Sequence, residues 1–174
     1  MEKFVDVILP LPLPGSFTYS LPAQWVNSVW TGCRVVVPFG KKKYYTAIVY
    51  RIHENKPKEY EVKEILSILD THPVLFDSQF RFWEWLAEYY LCTLGDVYKA
   101  ALPSGLKLES ETVVEYNPDF ESDVRLTDKE QLIFDLLSDD TVQSVIRLGK
   151  DSGIKNILPV IKSLLDKEAI FVKE

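Results

Sequence analysis

At 174 residues the chain has room for one large domain or two small ones, and it can bury a sizeable core. Hydrophobic residues at 47% and aromatics at 13% exclude a disordered tail as its main content. A formal net charge of −6 argues against tight, non-specific binding along a nucleic-acid backbone, which needs many phosphate contacts.

In chain order, Phe4 to Leu9 alternates in the manner of a strand, apolar throughout on one face and partly on the other. Prolines at 10, 12 and 14 then force an extended segment that cannot be a central strand. Ser16 to Ser20 returns to strand character, and Ala23 to Thr31, with Trp25 and Trp30, reads as a connector closing over the core. Val35 to Val37 predicts a buried strand that ends at Pro38, which has no ladder donor. Gly40 permits a tight turn or a close ligand approach, and Lys41, Lys42 and Lys43 follow it directly. Two readings fit this corner: a small anion- or phosphate-binding site, and a hairpin tip whose lysines only keep it soluble. Tyr44 to Ile52 is the next strand, 53–59 a charged loop, and Tyr60 to Leu69 a last strand. Five short strands with Pro/Gly punctuation predict a small twisted sheet or partly closed barrel.

The pattern changes after Thr71-His72-Pro73. Asp77 or Ser78 can cap a helix in which Phe80, Trp83, Ala87 and Tyr90 recur at spacings of three and four. Phe82, Trp85, Leu86 and Tyr89 make it apolar nearly all round, which predicts burial between two surfaces. For Trp83 and Trp85, core packing is the ordinary expectation and base stacking the alternative. A second helical face, Leu94 to Leu102, ends at Pro103-Ser104-Gly105, so the first domain is expected to span 1–105.

Residues 106–122 are acidic and irregular and read as a linker, with an edge strand placed at Thr112 to Tyr116. From 123 to 174 the pattern is helical. Thr127 and Glu130 form a capping box, a second helix fits Val142 to Leu148, and a third starts at Asn156 with Pro159 in its first turn. With a strand over Ala169 to Val172, three helices predict a winged helix-turn-helix whose chain stops where the wing is expected to begin. The fold class is therefore α+β.

Charge and cysteines limit function further. Residues 1–105 carry 11 Lys/Arg and 11 Asp/Glu, whereas 106–174 carry 9 and 15, so the first part is the better candidate for any local nucleic-acid contact. Cys33 and Cys92 form no CxxC pair, and His53 and His72 lie near neither, which leaves no zinc spacing and no disulfide framework. Both cysteines are expected to be reduced and buried in a cytosolic protein. Val5 to Leu13 is too broken by Asp6, Pro10 and Pro12 for a signal peptide, and nothing approaches a membrane span. No paired carboxylates, Ser/His/Asp set or phosphate-loop motif points to an enzyme.

The order Val5-Asp6-Val7-Ile8-Leu9-Pro10-Leu11-Pro12-Leu13, Phe17-Thr18-Tyr19, Gly32-Cys33-Arg34-Val35 and Pro38-Phe39-Gly40-Lys41 resembles the N-terminal region of the PriA family of primosomal replication-restart helicases. Val62-Lys63-Glu64-Ile65, Leu69-Asp70, Ala87-Glu88-Tyr89-Tyr90, Gly95-Asp96-Val97 and Ala101-Leu102-Pro103 continue the likeness through residue 105. The resemblance implies a module that recognises the 3′-terminal nucleotide of the leading strand at a stalled fork, followed by a winged helix. In the family, ATPase lobes and a zinc insert come next, with ATP, Mg and Zn as their cofactors. This segment has no GxxxxGK[ST] loop and too few cysteines for the insert, so it is expected to be a non-catalytic arm without cofactors.

The same resemblance places the 3′-end contacts at Phe17, Thr18, Tyr19, Gly40, Lys41 and Lys63. Further phosphate contacts are expected from Lys42 and Lys43, and from Lys155 and Lys162 on the third helix of the second domain. The family often carries aspartate where Thr18 stands, which puts that side chain's contact in question. The implied partners are forked DNA with a free 3′-hydroxyl, single-strand-binding protein and other primosome proteins, in the cytoplasm at the nucleoid, with no membrane. The competing reading is a protein adaptor that uses the Lys41–Lys43 tip and the winged helix.

Overall fold

The computed structural model describes residues 2–41, 43–58, 60–120, 123–139 and 142–173, and the chain divides into two compact units that meet between Pro103 and Ser104. Lys42 lies outside the described residues.

In the first unit, β1 (Lys3–Ile8), β2 (Phe17–Leu21), β3 (Arg34–Phe39), β4 (Lys43–His53) and β5 (Ser67–Ile68) form one antiparallel sheet in the order β2-β1-β4-β3-β5. Its strands are buried on both faces, which is why they read as near-continuous apolar runs. One face packs Val5, Val7, Tyr19, Val35, Val37, Ala47 and Val49 into a core. On the other, Ile8 and Ile48 meet Leu75, Phe80, Trp83, Val97 and Tyr98 of the helical layer. Each such side chain contributes roughly 1.5–3 kcal/mol when fully buried.

The last strand expected over Tyr60 to Leu69 is only two residues long. The ladder fails because the segment changes partner. Lys63 and Ile65 exchange backbone bonds with Ser20 of β2, and Leu66 then donates to Val36 of β3. A straight strand cannot serve both edges, so the sheet curls toward closure without forming a closed barrel. Arg34 secures the end of this segment. Its guanidinium holds Asp70 through two bonds of 2.6 and 2.9 Å, and its own amide donates to the same carboxylate at 2.8 Å, with both side chains buried.

α1 (Asp77–Tyr90) and α2 (Leu94–Ala101) cover the second face. Only Phe80 and Trp83 of α1 are buried; Phe82, Trp85, Tyr89 and Tyr90 are exposed, contrary to the expectation of a helix buried on two sides. Within this unit α1 has just the sheet and α2 to pack against, so its outer aromatics stack on one another, Phe82 on Trp85 and Trp85 on Tyr89. A capping box between Thr93 and Asp96 starts α2. Gly95 follows because a Cβ there would stand 1.8 Å from the Leu11 carbonyl oxygen, so the proline-rich segment can lie on the helix only at a glycine. Tyr98 then reaches the sheet, donating from its phenol to the Thr46 carbonyl at 2.8 Å.

The second unit comprises β6 (Val113–Tyr116), α3 (Asp128–Asp139), β7 (Val142–Ser144), α4 (Val145–Ser152), α5 (Leu158–Asp166) and β8 (Ile170–Val172). The stretch read as a linker with an edge strand holds the central strand, since the sheet order is β7-β6-β8. Val114 is fully buried there, so an irregular acidic segment supplies the middle of the sheet. The helix expected from Val142 begins at Val145 instead, because 142–144 pair with β6. Lys155 sits in the bend before α5 and not on the helix.

Thr127 and Glu130 cap α3 as the spacing predicts. Glu130 is also bonded by Ser163 and by the Lys167 ammonium at 2.7 Å. Burial alone would raise its pKa, yet the Lys167, Ser163 and Thr127 donors outweigh that and bring it from 4.5 down to about 2.

Two outcomes are expected in denaturant melts. Arg34→Met or Asp70→Leu alone should cost about 3–5 kcal/mol by stranding a buried charge, while the double variant should recover most of that loss. The Glu130 contribution, on the order of 3 kcal/mol, should be complete above pH 4.5 and fade as pH falls toward 2, and Glu130→Gln should abolish that acid sensitivity.

Candidate nucleic-acid interface

Where β2, the β3–β4 turn and the segment before β5 converge, they enclose a depression of about 200 Å³ lined by Phe17, Thr18, Tyr19, Pro38, Phe39, Gly40, Tyr60, Glu61 and Lys63. Drug-sized ligand pockets run roughly 300–1,000 Å³, so this one suits a single small group and not a run of nucleotides.

Its apolar wall follows from strand alternation. Phe17 and Tyr19 lie two apart on β2 and pack toward the same core. Phe17 meets Phe39 edge to face, with centroids 5.2 Å apart. The Tyr19 phenol donates to the Pro38 carbonyl at 3.0 Å, tying β2 to the end of β3. Burial, with the Tyr60 phenol nearby, pushes its pKa from 10.0 up to about 12.

The polar rim comes from the turn and the returning segment. Gly40 has φ +68°, a left-handed conformation that disfavours any side chain, and the space where a Cβ would stand is open. Its carbonyl accepts a bond from the Lys63 ammonium at 2.9 Å, which holds that charge at the mouth and leaves two of its three protons for another acceptor.

Of the residues singled out in the sequence, Phe17, Thr18, Tyr19, Gly40 and Lys63 line this depression. Thr18 is bound otherwise than expected: its hydroxyl donates to Asp6 at 2.7 Å, its cross-strand partner, and His53 shares the same carboxylate oxygen at 3.1 Å. The backbone of Thr18 remains at the site while its side-chain proton is committed. Lys41 and Lys43 are exposed at the turn and do not line the depression. Lys162 does not line it and is engaged with Asp166 at 2.6 Å in the second unit. Tyr60 and Glu61 are additions that the sequence reading missed. The i, i+2 relation of Glu61 to Lys63 was the available signal, because an extended segment carries both to one side.

Comparison with known proteins decides the family. A family model described as the PriA 3′DNA-binding domain (3′BD) matches residues 6–103, every residue lining the depression included. The chain belongs to that family of DNA-binding domains. A second model, described as a winged helix domain, matches 111–174. The replication restart protein PriA of Haemophilus influenzae is 36% identical over 105 residues, covering 60% of this chain and 14% of that protein. The same-named proteins of Treponema pallidum and Bacillus subtilis are 28% and 29% identical over 109 and 112 residues, covering 60% and 63% of this chain. The chain spans only 14–16% of the length of these relatives.

In a spectrophotometric alkaline titration Tyr19 should ionise near pH 12, and Tyr19→Phe should remove one tyrosine equivalent from the late part of the curve. Loss of a late equivalent in Tyr60→Phe but not in Tyr19→Phe would contradict the placement of the buried phenol.

Proposed function

We propose that this segment is the DNA-docking arm of a replication-restart helicase and that it reads the 3′-terminal nucleotide of the leading strand at a stalled fork. The observation that carries the reading is the convergence of Phe17, Gly40 and Lys63 on one small depression within a domain of the 3′DNA-binding family. Each part has a use at a strand end. The Phe17 ring offers a face for the terminal base, and base–aromatic stacking contributes about 1–3 kcal/mol without regard to sequence. The bare backbone at Gly40 admits the sugar. Lys63 supplies a fixed charge-assisted donor for the last phosphodiester or the hydroxyl.

On this reading the arm needs no nucleotide or metal cofactor of its own, and unwinding resides in parts of the parent protein that this segment does not resemble. Its working partners are forked DNA with a free 3′-hydroxyl and, through the parent protein, single-strand-binding protein and the other primosome proteins, at replication forks in the cytoplasm. The second unit is assigned little affinity for duplex DNA. Its nine basic residues face fifteen acidic ones, and three of the nine are engaged internally, Lys162 with Asp166, Lys167 with Glu130 and Arg147 with Asp151.

The test is fluorescence anisotropy on linear single-stranded oligonucleotides against a circular single strand of the same composition. The arm should prefer the linear strand, and Phe17→Ala should weaken that binding roughly tenfold to a hundredfold while leaving circular DNA unaffected. Equal binding to circular and linear DNA would end the terminus reading and leave a non-specific basic tip. Against the phosphate contacts expected of them, Lys155→Ala with Lys162→Ala should change affinity for a forked duplex less than about twofold, because Lys162 is paired with Asp166 and the second unit is acidic overall.

A further inference from the structure

The depression holds one feature that a phosphate-seeking site would not. Glu61 stands in its lining two residues before Lys63, exposed like Lys63, on an extended segment that carries both side chains to the same side. Among the described residues its carboxylate has no hydrogen-bond or ion-pair partner, so no internal contact accounts for its position. Among the described residues of the lining, Glu61 carries the one negative charge. The Gly40 and Pro38 carbonyls each already accept one bond, from the Lys63 ammonium and the Tyr19 phenol, and neither oxygen is charged.

We propose that Glu61 is a specificity-determining residue: its carboxylate accepts a hydrogen bond from the 3′-hydroxyl of the bound strand and excludes a 3′-phosphorylated end. The inference rests on the terminus reading given above. Its chemistry is a matter of donors and charge. A hydroxyl is neutral and carries a proton to donate, and an ionised carboxylate only accepts, so the two are complementary. A terminal phosphate monoester has no comparable donor and brings about −1.5 to −2 charges at neutral pH. Lys63 alone would welcome that group. With Glu61 beside it the lining carries one positive and one negative charge, and Lys63 is held to the turn by Gly40. A phosphate entering the depression therefore meets a negative charge beside the one positive charge, and Lys63 is held to the turn. Because both charges face solvent, the discrimination is modest and is screened by salt.

The experiment compares anisotropy titrations of the full chain with three single strands: one ending in 3′-hydroxyl, the same strand ending in 3′-phosphate, and a circle with no end. Wild type, Glu61→Gln and Glu64→Gln are measured, the last being a neighbouring exposed carboxylate outside the lining. At low salt the wild type should favour the 3′-hydroxyl over the 3′-phosphate by about tenfold, the scale of one like-charge contact near a protein surface. Glu61→Gln should reduce that ratio to about twofold, chiefly by strengthening binding of the phosphate end, and Glu64→Gln should leave it unchanged. A preference for linear over circular DNA with the same hydroxyl-to-phosphate ratio in Glu61→Gln as in wild type would overturn the role of Glu61 alone. Equal shifts in both variants would likewise overturn it, since general charge removal would then suffice. Indifference of the wild type to the presence of an end would overturn the terminus reading itself.

Discussion

The buried pair between Arg34 and Asp70 is the constraint on which the arrangement of the first unit turns. Two opposite charges out of water carry a desolvation penalty of several kcal/mol each, offset only when the geometry is close to ideal and the remaining donors and acceptors are filled. Here the carboxylate receives both guanidinium bonds and the Arg34 amide. Replacing the pair by apolar groups would satisfy the core about as well. What the charges add is position: Asp70 can sit in one place only, at the start of β3, and the ten residues before it must reach the far edge of the sheet from there.

That reach builds the site. The segment leaves β2 after Ile65, crosses to β3 at Leu66 and finishes at Asp70. Its earlier residues, Tyr60, Glu61 and Lys63, are carried over the gap between the two sheet edges, where Phe17 and Gly40 already stand. The rings are held by the core and the Lys63 ammonium by a backbone carbonyl, so the depression is set before any ligand arrives. Preorganisation of this kind lowers the ordering cost of binding, which suits a site too small to gather many contacts.

The second unit spends its charges differently. Glu130 caps α3 and gathers a lysine, a serine and an amide around one buried carboxylate, and its neighbours on the surface pair within single helices. These contacts hold three short helices against a three-stranded sheet. They also engage three of the nine basic residues in a stretch, 106–174, whose balance is acidic.

Local rules determined much of this protein directly from its sequence. The valine run of β3, the turn at Gly40, the Thr127–Glu130 cap and the proline in the first turn of α5 each depend on residues within four positions of one another, although the pairing expected to stop at Pro38 runs on through Phe39. So the α+β class, most of the elements and the family motifs around Phe17, Gly40 and Lys63 were legible. Tertiary structure alone decided which partners those elements found. Val113 to Tyr116 became a central strand because β7 and β8 closed on it from later in the chain. The outer aromatics of α1 stayed exposed because only one surface was there to cover the helix. Thr18 committed its hydroxyl proton to Asp6, 12 residues away, and Glu61 came to line the same depression as Gly40 through a segment that changes strands midway. Periodicity reports which face of an element is apolar. It carries no information about which distant group will meet a polar side chain there.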